Sequence, residues 1–182
     1  MKQLLVLLLL PFTIFADFEK EVQEDMLTLG KNITEINKLT VKGKELLLKG
    51  EYKNAKESYK QANMILDKHV IGKLHLLYFK WTARGVDLND MKDQFKRNED
   101  RLIILKKQNK TFIKICSYFI QAYELEELMK KDPSENNSKK LIKFVDDNKE
   151  LYKEIPFMRE AIEDRQEYLV LFILKINLQN PK

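Results

Sequence analysis

Apolar residues in the first part of the chain recur at alternating intervals of four and three positions. This spacing places their side chains on one face of an α-helix. Gly30 could divide the segment into two helices, but the phase of the apolar seam continues across it, which favours one long helix. The seam runs toward Leu39 and is formed by Val22, Met26, Leu29, Ile33 and Ile36.

The next pattern predicts two antiparallel helices in close contact. Leu39, Gly43 and Leu46 share one face of the first helix. Gly43 has no side chain, so a second helix can approach its backbone closely. Gly50 is typical of the left-handed residue that ends a helix. The second helix begins with an aromatic residue and then alternates small and large residues along one face: Tyr52, Ala55, Tyr59 and Ala62.

This arrangement of glycine, tyrosines and alanines resembles one tetratricopeptide repeat, covering residues 36–69. The sequence departs from the family at Lys42, where a bulky apolar residue is usual, and a second repeat starting at Ile71 fits poorly. An unrelated hairpin with a glycine turn is the alternative interpretation. The resemblance implies a right-handed stack of helices whose concave face binds a peptide or helix of another protein. The positions that match that face are Asn37, Thr40, Lys44, Leu47 and Leu48.

Apolar stripes predict further helices at 70–84, 87–105, 112–129, 141–155 and 156–179. Asp132-Pro133 closes the third of these, and the polar run Ser134–Ser138 is typical of a loop. The chain has only five glycines and four prolines, which favours long helices over a β-rich fold. We therefore expect an all-α fold in which antiparallel hairpins stack as a tetratricopeptide-like array of about seven helices. A single domain is expected over residues 17–182.

The run Tyr168–Leu174 is nearly all apolar, but it is well below the length of a membrane span. We expect another helix to cover it, so that residues 156–179 form a buried closing helix. A docking surface for a partner is the alternative.

Residues 1–16 are typical of a secretory signal peptide. Lys2 supplies the positive start, Leu4–Leu10 the apolar run, and Ala16 the small residue before a cut at Asp17. We therefore expect export to the periplasm or outside the cell, and an uncleaved signal anchor is the alternative.

Composition and motifs narrow the chemistry that the chain can be expected to perform. Its 33 basic and 28 acidic residues give a formal charge of +5, and the interleaved acids argue against nucleic-acid binding. Peripheral membrane contact stays open. The single cysteine, Cys116, sits on an apolar helical stripe and is expected in the core. His69 and His75 lie on different sides of any helix, and the acids Glu124, Glu126 and Glu127 are expected on solvated faces. The sequence contains no phosphate loop or zinc motif.

These patterns favour an exported, non-enzymatic adaptor or scaffold that binds another protein, with no metal and no cofactor. By analogy with exported bacterial proteins of this type, envelope or flagellar complex assembly is the expected setting. The alternative is a helical subunit that self-assembles without a separate client, and oligomers fit either hypothesis. An enzyme without a readable motif is a third hypothesis, which the absence of paired catalytic groups disfavours.

Overall fold

The computed structural model describes residues 16–83, 85 and 89–179. This part of the chain is all-helical and contains no β-strand, which confirms that the fold is all-α. The predicted signal peptide lies outside the described residues except for Ala16. The helices, in chain order, are α1 (Ala16–Leu48), α2 (Tyr52–Ile65), a π-helical segment (Leu66–Ile71), α3 (Gly72–Ala83), α4 (Asn89–Lys131), α5 (Glu135–Asn148), α6 (Leu151–Glu154), a 3-10 turn (Pro156–Met158) and α7 (Arg159–Gln179).

The described residues form five long helical segments rather than the expected seven or so. The helix predicted from Val70 is not separate, because α2 continues through the π-helical segment into α3. The helices predicted over 87–105 and 112–129 are joined in the 43-residue α4. Neither glycine nor proline occurs between residues 89 and 131, so nothing interrupts the backbone hydrogen bonds there. Helix α1 is continuous across Gly30, as the phase of the apolar seam predicts.

Helix α4 ends where the sequence predicts. It stops at Lys131, directly before Asp132-Pro133, because the residue before a proline disfavours the helical conformation. Ser134 then caps α5, its side-chain oxygen accepting a hydrogen bond from the backbone N–H of Asn137. Such a cap satisfies one of the N–H groups that a helix start leaves without a partner.

Helices α1 and α2 pack through the small residues of the hairpin. The turn between them holds Gly50 at φ 77°, a conformation that glycine adopts without strain. A Cβ placed on Gly43 would come within 2.9 Å of the Tyr59 ring, so the two helices touch at this point. Ala55, Tyr59 and Ala62 are fully buried, while the Tyr52 ring stacks on Phe119 with centroids 4.5 Å apart. Of the other two predicted packing residues, Leu39 is buried and Leu46 is partly buried.

Helix α2 also packs against α4, and this arrangement divides the core into two apolar clusters. One cluster lies between the first half of α1, α3 and the start of α4, around Leu29, Leu77 and Trp81. The other joins the α1–α2 turn to the second half of α4, to α5 and to α7, around Phe119 and Leu169. Cys116 is buried within this second cluster, as predicted.

The closing helix α7 is not covered on both sides. Leu169 and Ile173 are buried, but Val170, Leu171 and Leu174 are exposed, which contradicts the expectation that another helix covers the whole run. The reason is that α7 packs through one face, and no other described helix lies over its opposite face. No helix among the described residues is both long and apolar enough to cross a membrane.

Candidate functional site: the outer face of α1

The five residues predicted to bind a partner differ in their solvent exposure. Asn37 and Lys44 are exposed, and Leu48 is 71% exposed. Thr40 is partly buried, and its hydroxyl oxygen has no hydrogen-bond partner. Leu47 is only 3% exposed and belongs to the core, so its placement on a binding face is wrong. Leu47 lies one turn after Gly43 and therefore shares the face of α1 that packs against α2.

The face of α1 opposite the core carries an exposed apolar stripe. Leu27, Thr34, Val41 and Leu48 recur every seven residues. We use the name 'outer face of α1' for the surface that these four residues form together with the polar residues between them. Leu27 and Val41 are 61% and 57% exposed, and Leu48 is exposed further still. Positions seven residues apart lie close to one line along a helix, so a second helix lying lengthwise could contact them all. Within the described residues, nothing occupies the stripe.

The second half of this face is basic. From residue 31 to residue 49 the chain carries five lysines and two glutamates, a formal charge of +3, and all seven side chains are exposed. None of these lysines forms an ion pair with a described residue. The lysines are Lys31, Lys38, Lys42, Lys44 and Lys49, and the glutamates are Glu35 and Glu45.

A cleft opens at the hairpin turn, beside the end of α4. Its volume is about 610 Å³, and its walls include the aromatic rings of Tyr52 and Tyr123, whose centroids lie 6.0 Å apart. Leu128 continues the apolar wall, while Lys53 and Glu124 form an ion pair of 3.6 Å at the rim. The cleft is apolar with charged edges.

A buried ion pair lies behind this cleft, and it corrects one expectation. Glu126 is only 5% exposed, whereas the sequence analysis placed it on a solvated face. Its carboxylate accepts hydrogen bonds from Arg165 at 2.5 Å, Tyr168 at 2.8 Å and Lys130 at 2.7 Å. Burial alone would raise the pKa of Glu126, but these hydrogen bonds outweigh it and hold that pKa below the usual range. The Arg165 guanidinium also stacks over the Tyr123 ring, 4.0 Å from its centroid.

A signal for this pair was present in the sequence. Glu126 lies four residues after Ala122 and three before Met129, on the buried stripe of α4. Arg165 lies between Ile162 and Leu169 on the buried stripe of α7. Opposite charges at core positions of two helices predict a pair, because a lone buried charge is costly.

The cysteine and the two histidines of the chain all lie within the described helices. Burial raises the pKa of the Cys116 thiol to about 11, which leaves it a poor nucleophile. His75 is exposed and contacts Glu99 at 2.7 Å, on a different helix face from His69. Among the described residues, no three metal-binding side chains come together.

Comparison of the chain with family models, curated proteins and solved structures finds no match. The function is therefore argued from the residues of the chain itself.

Proposed function

We propose that this protein is an exported, non-enzymatic adaptor or scaffold whose outer face of α1 binds an amphipathic helix of another protein. The observation that supports the proposal is the exposed stripe of Leu27, Val41 and Leu48, bordered by lysines without ion-pair partners among the described residues. Apolar patches rimmed by polar side chains mark interaction surfaces on soluble proteins.

The stripe determines what shape of partner fits. Its aliphatic residues, Leu27, Val41 and Leu48, lie fourteen and seven positions apart on one side of α1, so a second helix lying along α1 could contact all three. Burying one leucine or valine contributes about 1.5–3 kcal/mol, and a partner helix would bury three such residues. Recognition of an amphipathic helix through spaced apolar anchors is a common mode of peptide binding.

The lysines determine what charge the partner carries. With a formal charge of +3 over residues 31–49, this face favours a helix whose apolar stripe is flanked by Asp or Glu. Charge complementarity of this kind mainly raises the association rate and excludes basic partners. Binding is therefore expected to weaken as the salt concentration rises.

The tetratricopeptide resemblance supports α1 as the binding helix, although of the five matched positions Leu47 is in the core and Thr40 is partly buried. In that family the first helix of each hairpin contributes the concave, partner-binding face, and α1 is the first helix here. The proposal therefore includes tetratricopeptide-like stacking, export by the signal peptide, and assembly of envelope or flagellar complexes as the setting by analogy.

Photo-crosslinking in the native host tests the proposal. A photoreactive residue at Val41, which is 57% exposed, should give a discrete product with one partner, crosslinked within an amphipathic segment flanked by acidic residues. Lys44→Glu should lower the yield of that product, because it places a negative charge against the acidic flank. A photoreactive residue at Lys60, exposed on α2, is the matched control and should not give the product. The proposal fails if both positions give the same products, or if the captured segment lacks the acid-flanked pattern.

A further inference from the structure

Helix α7 presents a second apolar stripe to solvent, independent of α1. Leu171, Leu174 and Leu178 follow one another at intervals of three and four residues and are 58%, 54% and 81% exposed. Residues at this spacing share one side of a helix. Val170 and Tyr168 border the stripe, and each is 43% exposed. We call this surface the outer face of α7.

The fold requires α7 in this orientation. Its other side is held in the core by Ile162, Leu169 and Ile173. Tyr168 is fixed at the edge, because its hydroxyl donates a hydrogen bond to Glu126 at 2.8 Å. The leucines of the outer face therefore cannot turn inward without breaking these contacts. Three exposed aliphatic side chains along one side of a helix are typical of a surface that binds a partner.

Two charges on this face are complementary to the same two charges on a second copy of the helix. Glu167 lies four residues before Leu171 and Lys175 lies four residues after it. Both are exposed, and neither forms an ion pair with a described residue. If two α7 helices pack antiparallel about Leu171, these positions are about 6 Å from the centre on opposite sides, given the helical rise. Lys175 of each copy then faces Glu167 of the other.

The same register pairs Leu171 with Leu171 of the second copy and Leu174 with Tyr168, while Leu178 lies opposite Asp164. We propose that the outer face of α7 is a self-complementary interface at which two copies of this chain pair antiparallel. Twofold dimers of this kind place the same patch on both subunits and are the commonest oligomers of soluble proteins. The outer face of α1 does not suit this role, because its unpaired lysines would repel a copy of themselves.

Sedimentation analysis of protein purified from the native host tests the interface. The wild-type chain should have twice the mass of one chain at micromolar concentration. Leu171→Ser should weaken dimerisation by about a hundredfold or more, because the substitution removes an apolar contact at the twofold axis from both copies at once. Circular dichroism should be unchanged, since Leu171 lies largely in solvent within one chain. Leu48→Ser, the matched control on α1, should leave the mass unchanged.

A charge exchange tests the register itself. Lys175→Glu places two carboxylates opposite each other and should weaken the dimer, as should Glu167→Lys alone. The double variant Glu167→Lys, Lys175→Glu restores both pairs with reversed polarity and should restore the dimer. Failure of the double variant to restore it would overturn the antiparallel register.

Three other results would overturn the proposal. One is a wild-type protein that remains a monomer. Another is a larger assembly that Leu171→Ser and Leu48→Ser both disrupt, which would indicate head-to-tail contact between α7 and α1. A third is a monomer that co-sediments with phosphatidylcholine–phosphatidylglycerol vesicles unless Leu171 is replaced, which would assign the stripe to a lipid surface. The first and third results leave the outer face of α1 free, so with either of them this inference fails while the proposed client binding can stand.

Discussion

Glu126→Gln is expected to lower the free energy of unfolding by about 3–5 kcal/mol at pH 7, because it leaves the buried Arg165 without its counter-charge. The Arg165 side chain is 11% exposed and that of Glu126 is 6% exposed, so solvent cannot replace the lost partner. Urea unfolding followed by circular dichroism measures the change. Glutamine has nearly the size of glutamate, so loss of packing would not explain a change of this magnitude.

The neighbouring residue provides the control. Glu127 contacts the same Lys130 at 2.9 Å, but its side chain is 58% exposed. Glu127→Gln should change the free energy of unfolding by no more than about 0.5 kcal/mol. Equal losses at the two positions would contradict the placement of Glu126 in the core.

The ion pair of Glu126 and Arg165 contributes to the free energy of unfolding by an amount that depends on pH. The pKa of Glu126 is lower in the folded protein than its ordinary value, so the ionised form stabilises the fold. This stabilisation is fully present above the ordinary glutamate pKa of about 4.3 and is lost as the pH falls through the lowered value. The difference in unfolding free energy between wild type and Glu126→Gln should therefore shrink as the pH falls below about 4.

Gly43→Ala should destabilise the protein, although alanine is the better helix former. The added Cβ would lie 2.9 Å from two atoms of the Tyr59 ring. That ring is fully buried and stacked on Phe112 at 4.8 Å, so it has no free space to move into. Overpacking of this kind costs about 1–3 kcal/mol, more than the gain of about 1 kcal/mol from replacing a helical glycine.

Gly30→Ala provides a control with the opposite sign. Gly30 lies in the same helix, and a Cβ there would meet nothing within 4 Å. Its replacement should raise the free energy of unfolding by about 0.5–1 kcal/mol. Thermal unfolding of both variants distinguishes the cases, and a stabilising Gly43→Ala would show that α1 and α2 do not approach closely there.

How much of this structure the sequence predicts depends on whether a feature is local. The contact of Gly43 with the second helix follows from small and large residues at helical spacing, and the end of α4 follows from Asp132-Pro133. Both patterns lie within a few residues of the feature they determine. The sequence also predicts that α1 continues through Gly30, because the apolar phase extends over several turns.

Features that depend on distant residues were not predictable in the same way. Glu126 lies on the buried stripe of α4, but the Arg165 that pairs with it is on a helix 39 residues further along the chain. Leu47 and Leu48 are adjacent leucines that the family resemblance places together on the binding face, whereas packing in the core buries Leu47 and leaves Leu48 exposed. The exposure of Leu171 depends on how many helices surround α7, a property of the whole fold. The binding surfaces therefore had to be identified from the packed structure.

Binding of a partner at the outer face of α1 is tested most directly by measuring how tightly the protein binds the partner segment that crosslinking identifies. A synthetic peptide of that segment should bind the wild-type protein more weakly as the salt concentration increases. The Val41→Glu substitution should reduce the affinity for the peptide by about a hundredfold. The substitution removes an apolar anchor and adds a negative charge that repels the acidic flank of the peptide. Lys60→Glu on α2 makes a comparable charge change away from the stripe and should bind like wild type. Wild-type affinity in Val41→Glu, with the fold intact by circular dichroism, would contradict binding at the outer face of α1.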